Sequence, residues 1–186
     1  MSMKLVILGL LMEGDSHPYE LRHKMKERAM LHYIKMQEGS LYYAIDTLNK
    51  EGYIEALEIV KESGRPDRTV YRITEEGRQL FHRLLLEQFE SRAPVFHPIY
   101  AALVFAFHGD AQQIHAIITQ KMEEQRRIVA LLHDIYEEHI PTVPRSVLHM
   151  MRGRWEHAVT ELRWLERLAA DAAAGRLYEF GNPLEE

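Results

Sequence analysis

The chain has 186 residues and a mass of 21.9 kDa, room for one domain or two small ones, since domains commonly run about 100 to 150 residues. Its 46% hydrophobic and 27% charged residues are ordinary for a soluble globular protein, and the absence of cysteine excludes a disulfide framework and a thiolate zinc site. The formal net charge is -5, and residues 1 to 90 carry 13 Lys and Arg against 15 Asp and Glu, so any attraction for nucleic acid must be local. The longest apolar run, Leu5 to Met12, is too short for a membrane span of about 20 residues. A cytoplasmic protein with no membrane partner is the expectation.

Leu5, Leu8, Leu11 and Met12 recur at helical spacing and predict a first helix over about residues 3 to 13, ended by Gly14. Asp15 or Ser16 is expected to cap the next helix. Pro18 suits its first turn, where the missing N–H has no intrahelical partner, and Tyr19, Leu21 and Met25 supply apolar contacts as far as about Arg28. Met30, Leu31, Ile34 and Met36 suggest an ordered connection. Leu41, Ala44, Ile45 and Leu48 then follow the i, i+3, i+4, i+7 rule of a third helix, with Gly52 as the left-handed residue beyond its end.

The opposite face of that helix carries Gly39, Tyr43, Asp46 and Lys50, flanked by Ser40, Tyr42, Thr47 and Asn49. These side chains hydrogen-bond and stack, and an α-helix fits the major groove, where base edges present distinct donor and acceptor patterns. On an isolated helix the same face is simply solvated.

Two β-rich runs, Ile54 to Val60 and Thr69 to Ile73, are separated by a tip with Lys61, Arg65 and Arg68 against Glu62 and Asp67, which predicts a hairpin with a basic end. Alternation puts Tyr71 and Ile73 on one face, Val70 and Arg72 on the other. Arg65 and Arg68 project where phosphates or a minor groove are met. Thr74 is expected to cap a fourth helix, with Glu75 and Glu76 in its first turn and Leu80, Phe81, Leu84, Leu85 and Phe89 inward.

After Ala93 and Pro94, the apolar segment 98 to 107 predicts a buried helix. A helix of about 30 residues follows from Asp110 to about His139, its seam of Ile118, Met122, Val129, Leu132 and Tyr136 interrupted by Gln125, and Pro141 and Pro144 end it. The last helix, about 144 to 174, repeats Leu148, Met151, Trp155, Ala158, Leu162, Leu165, Ala169 and Ala172 with 3-4 spacing, a heptad seam. Two such stripes exceed what one small neighbouring domain covers. Pairing with a second copy through Leu148, Met151, Trp155, Leu162 and Leu165 is therefore expected, with the seam alanines allowing close approach.

The order of helix, helix, helix, hairpin, helix, with Ile7-Leu8-Gly9-Leu10-Leu11, Tyr19-Glu20-Leu21, Gly39-Ser40-Leu41-Tyr42, Leu48-Asn49-Lys50-Glu51-Gly52, Gly64-Arg65-Pro66 and Tyr71-Arg72-Ile73-Thr74-Glu75-Glu76-Gly77, resembles the PadR family of bacterial transcriptional regulators. The likeness covers residues 4 to about 85, and the long helical remainder resembles the larger PadR subfamily. It implies a mainly α fold: a winged helix-turn-helix DNA-binding domain over 1 to 90 and an α-helical dimerisation domain over 91 to 186. It further implies a homodimeric repressor of a dyad operator in double-stranded DNA, with the helix from Gly39 reading bases and the 61 to 68 loop as the wing. A small-molecule effector, phenolic or otherwise apolar, is implied too, with Tyr100, Tyr136, His149, Trp155 and Trp164 as candidate contacts. Pro18 and Tyr43 depart from the family's usual residues, and Tyr43 lies on the reading face.

Among 11 histidines, the pairs His108 and His115, His133 and His139, and His149 and His157 lie too far apart, or on different helix faces, to share one metal. Without a Gly-rich phosphate loop, a Gly-x-Ser-x-Gly elbow or a His-Glu-x-x-His motif, the expectation is no catalytic residue, no metal, no cofactor and no enzyme. The rival function is a winged helix used for protein–protein contact without sequence-specific DNA binding.

Overall fold

The computed structural model describes residues 3–28, 30–32, 38–60, 68–92 and 97–184. The chain divides into two compact units, Met1–Ala93 and Pro94–Glu186. Among the described residues no helix is long and apolar enough to cross a membrane.

In the first unit, α1 (Met3–Leu11) is too short to persist alone and is held by burial of Ile7, Leu8, Leu10 and Leu11. Helix α2 (Pro18–Glu27) is capped later than expected, one residue after Ser16 and two after Asp15. His17 is the N-cap: its Nδ1 accepts from the Tyr19 N–H at 3.0 Å, and its own N–H donates to Glu20 Oε2 at 2.9 Å, which closes a capping box. Ser16 and Asp15 are engaged elsewhere. Ser16 is buried and exchanges both backbone hydrogen bonds with Tyr71 at 3.1 Å, and Asp15 binds Arg72.

Helix α3 (Glu38–Lys50) buries Leu41, Ala44, Ile45 and Leu48 as its periodicity requires. Gly52, at φ +78°, turns the chain so that the Tyr53 N–H reaches the Leu48 carbonyl at 2.9 Å. Strands β1 (Ile54–Val60) and β2 (Arg68–Ile73) pair antiparallel with Ile54 opposite Ile73 and a bulge between Ala56 and Glu58. Ile54 and Ile73 point into the core and Arg72 points out, as the alternation predicts.

Thr74 caps α4 (Glu75–Glu90) by accepting from the Gly77 N–H at 3.1 Å, and its hydroxyl donates to the Gly52 carbonyl at 2.8 Å. Leu80 is buried, with Phe81 and Leu84 packed beside it. Phe89, expected inward, is 83% exposed. Among the described residues the core of this unit reaches α4 as far as Leu84, and the last turns run past it.

The second unit is dominated by an antiparallel pair, α6 (Ala111–His139) and α7 (Arg145–Ala173), after a short α5 (Pro98–Val104). Asp110 caps α6 through the N–H groups of Gln112 and Gln113. Cross-links at both levels fix the antiparallel register: His115 Nδ1 meets the Ala169 carbonyl at 3.0 Å, and Gln125 Nε2 donates to the Ala158 carbonyl at 3.0 Å. Gln125 is thus a buried polar residue with its donor satisfied, and it interrupts the seam without breaking it.

Two expectations are corrected here. Segment 98 to 107 is not a buried helix: α5 spans seven residues, a 3-10 turn covers Ala106–His108, and neither contains a buried residue. Only Ile99 and Leu103, one turn apart, pack on the Ile118 and Leu165 cluster, so a helix this short leaves Val104 and Phe105 outward. The heptad seam of α7 is largely covered within the chain as well. Met151 is 1% and Leu165 3% exposed, and Ala158, Ala169 and Ala172 are buried too. The reason is that α6 has the same length and an apolar seam of its own, and the turn around Pro141 folds α7 back along it. Met151 and Leu165 therefore offer no free face to a second copy, while Leu148, Trp155 and Leu162 stay half-buried.

Candidate nucleic-acid interface

The exposed side of α3 is set by its buried side. With Leu41, Ala44, Ile45 and Leu48 turned into the core, Tyr42, Tyr43, Asp46, Asn49 and Lys50 emerge together, with Gly39 at the first turn. Tyr43 is 74% exposed, so a large aromatic with a phenolic donor stands in solvent without a core role. Ser40 and Thr47 are half-buried flanks, and the Thr47 hydroxyl donates back to the Tyr43 carbonyl at 2.8 Å. Lys50 Nζ lies 2.7 Å from Asp46 Oδ2, one helical turn away. That hydrogen bond, with the charge behind it, holds the Lys50 ammonium above its ordinary pKa.

Lys61 and Arg65 lie outside the described residues, as does the side chain of Arg68, whose backbone opens β2 opposite Val60. The base of the hairpin is described, and it is clamped. Arg72 grips Asp15 through Nε at 3.0 Å and Nη2 at 2.5 Å. Arg28 makes a bidentate pair with Glu13, both bonds 2.6 Å, and Lys24 donates to the Ser16 hydroxyl at 3.0 Å. The turn between α1 and α2 thereby ties down both α2 and the hairpin. Arg28 lowers the pKa of Glu13 by hydrogen bonding, and Arg72 does the same to Asp15. The sequence carries no periodic signal for these pairs, whose members lie 15 and 57 positions apart.

The five candidate effector contacts do not converge. Tyr100 and Trp164 meet edge to face at 5.9 Å beside His97, whereas Tyr136 stacks near Trp155 at 6.5 Å, beside His133. Nine residues of α7 separate the two tryptophans, about 14 Å along a helix axis. His149 is exposed and joins neither group. Arg152 lies 4.2 Å from the Trp155 ring centroid, and the buried Trp155 indole N–H has no hydrogen-bond partner among the described residues. A small cleft of ≈ 110 Å³ opens beside His97, Gln125 and Glu161. His97 serves two neighbours: Nδ1 accepts from the Ile99 N–H and caps α5, and Nε2 faces Glu161 at 3.1 Å. The signal for it was the His-Pro step, since His17-Pro18 and His97-Pro98 start their helices alike.

Residues 7–83, α1 through most of α4, match the sequence model of the Transcriptional regulator PadR-like family. Over these residues the chain resembles this family. The fold also matches solved PadR-type structures over almost its whole length. Bacillus subtilis PadR in complex with operator DNA aligns with a TM-score of 0.74 at 20% identity, over 91% of this chain and 98% of that one. The same regulator in complex with p-coumaric acid gives 0.75 at 19%, over 92% and 98%. The virulence activator AphA of Vibrio cholerae gives 0.74 at 17%, over 94% and 99%. At such identities the likeness is one of fold. A comparison with curated protein sequences gives no match. Within the matched segment Pro18 stands at the first position of α2 behind the His17 cap, and Tyr43 is among the most exposed residues of α3.

Proposed function

We propose that the chain is a transcriptional repressor that binds a dyad operator in double-stranded DNA as a homodimer, with α3 reading base edges and the hairpin tip contacting the backbone. The observation that carries the reading is the α3 face: Tyr42, Tyr43, Asp46, Asn49 and Lys50 are exposed together on a helix whose other side is core. Such a face has no use within the fold and suits the donor and acceptor pattern of a major groove. The cations of the tip, Lys61, Arg65 and Arg68, supply the phosphate attraction that the acidic balance of the whole chain does not.

Pairing of two copies is supported by apolar side chains that the second unit leaves outward, among them Val104, Phe105, Ile117 and Leu131, with half-buried Leu148, Trp155 and Leu162. A two-fold dimer sets two reading helices about 34 Å apart. Control by a small apolar effector is supported by the aromatic groups around Trp155 and Trp164 and by the capture of p-coumaric acid by the Bacillus subtilis regulator. Such a ligand acts only by favouring one dimer geometry over the other.

The test is selection of duplexes from a random library by the purified chain, followed by gel shift in low and high salt. Enrichment of one inverted repeat is expected, bound with an affinity that falls as salt rises. A chain that enriches no sequence at low salt refutes the reading and favours the protein–protein module. Light scattering at micromolar concentration reports the dimer, and a lone 21.9 kDa species refutes it.

A further inference from the structure

Three cations of the first unit are held by acids. Arg28 has Glu13, Arg72 has Asp15, and on the reading face Lys50 has Asp46. The third pair differs from the others in its setting. Glu13 and Asp15 join separate elements, whereas Asp46 and Lys50 share α3, and both are open to solvent, 56% and 72% exposed. Their contact does not tie one element to another. Lys50 is also the only cation in the α3 sequence, against Glu38 and Asp46, so the helix by itself does not attract phosphate.

We infer that Asp46 is a specificity-determining residue: its carboxylate occupies Lys50 on arbitrary duplexes and releases it where a base edge offers an amino group instead. The inference rests on the proposed role of α3 as the reading helix. A carboxylate carried into a groove is repelled by the phosphates on both sides, and the penalty is the same at every site that offers it no donor. Cytosine N4 and adenine N6 are the amino groups that the major groove presents. Where one of them meets Asp46, the carboxylate gains a hydrogen bond, and the ammonium one turn away is freed for a backbone phosphate. Discrimination then comes from a cost at wrong sites, added to the gain at the right one. The order of the pair, acid one turn before base, favours the closed arrangement in the free protein.

The experiment uses the full chain, a duplex enriched from a random library by the unaltered protein, and a scrambled duplex of equal length. Affinity for both is followed between about 50 and 200 mM salt, the range in which counterion release is resolved. Asp46→Asn keeps the size of the side chain and removes its charge. It is expected to raise affinity for the scrambled duplex and to steepen its log–log salt slope by about 0.9, one more phosphate contact. The preference for the enriched duplex falls about tenfold or more, the scale of one lost base contact. Adding Lys50→Met to Asp46→Asn returns the scrambled-duplex slope to its original value. A selective parent whose Asp46→Asn form keeps both the slope and the preference overturns this inference alone. A parent that enriches no duplex overturns the reading-helix proposal beneath it.

Discussion

Replacing Gly77 with alanine puts a methyl group where the backbone has no room for one. A Cβ at this position would lie 2.0 Å from the Tyr53 carbonyl oxygen, 2.8 Å from Ile73 Cγ1 and 3.0 Å from the Tyr53 carbonyl carbon, when ordinary contact begins near 3.4 Å. The Tyr53 carbonyl cannot swing aside at no cost, because it accepts the Thr74 N–H at 3.1 Å. Relief requires α4 to retreat by well over an ångström, and with it Leu80 and Phe81 from the core. Overpacking costs about 1 to 3 kcal/mol, and a backbone obstacle places this substitution near about 3 kcal/mol. For a unit of this size that is a fall in melting temperature of about 12 to 24 °C. The assay is urea and thermal unfolding followed by far-ultraviolet circular dichroism. Gly153→Ala is the matched control: its Cβ meets nothing within 4 Å inside α7, so it should stabilise by about 0.5 to 1 kcal/mol. A Gly77→Ala protein that loses less than about 1 kcal/mol refutes the close approach of α4 to Tyr53.

Thr74→Ala removes the cap of α4 and the bond to the Gly52 carbonyl, and should cost about 1 to 2 kcal/mol in the urea midpoint, whereas Thr74→Ser should recover most of it. Met151→Ala opens a cavity between α6 and α7 and should cost about 2 to 5 kcal/mol, read by tryptophan fluorescence because Trp155 and Trp164 both lie in the second unit; a loss under 1 kcal/mol would mean the seam is not closed there. Glu13 and Asp15 have folded pKa values below the ordinary ones, so their pairs contribute stability above the ordinary carboxylate range, near about pH 4, and lose it as pH falls through the depressed values. Stability should therefore drop less steeply in acid for Glu13→Gln than for the parent, and superimposable acid limbs would contradict the pairing. Tyr43→Ala should weaken binding to the enriched duplex by about 1 to 3 kcal/mol and leave scrambled-duplex binding nearly unchanged.

Local pattern was enough for most elements and for which side of α3 is exposed. The 3.6-residue period in α3 assigned Leu41, Ala44, Ile45 and Leu48 inward and Tyr43, Asp46 and Lys50 outward, because burial of one stripe leaves the other side no choice. Thr74, Asp110 and Gly52 were legible for the same reason: a cap or a left-handed turn is decided by a residue and its nearest neighbours. The cap of α2 was misplaced because Asp15 and Ser16 are better caps than histidine by type. Partners 55 or more positions away, Arg72 and Tyr71, claimed them first and left His17 to close the helix.

The same division runs through the second unit. The heptad from Leu148 to Ala172 states that a stripe must be covered, since apolar side chains at 3-4 spacing leave water together, but it does not say by what. The antiparallel return of α7 along α6 covers Met151, Ala158 and Leu165 inside one chain, while Leu148, Trp155 and Leu162 of the same seam stay half-buried. Sequence by itself determined the elements, their faces and the family's motif order, because these depend on neighbours within a few positions. Tertiary structure alone decided which stripe met which, which acid held Arg28 and Arg72, and that Asp46 and Lys50 stand paired on an open face. Those contacts are competitions among distant groups, and only the folded chain brings the competitors together.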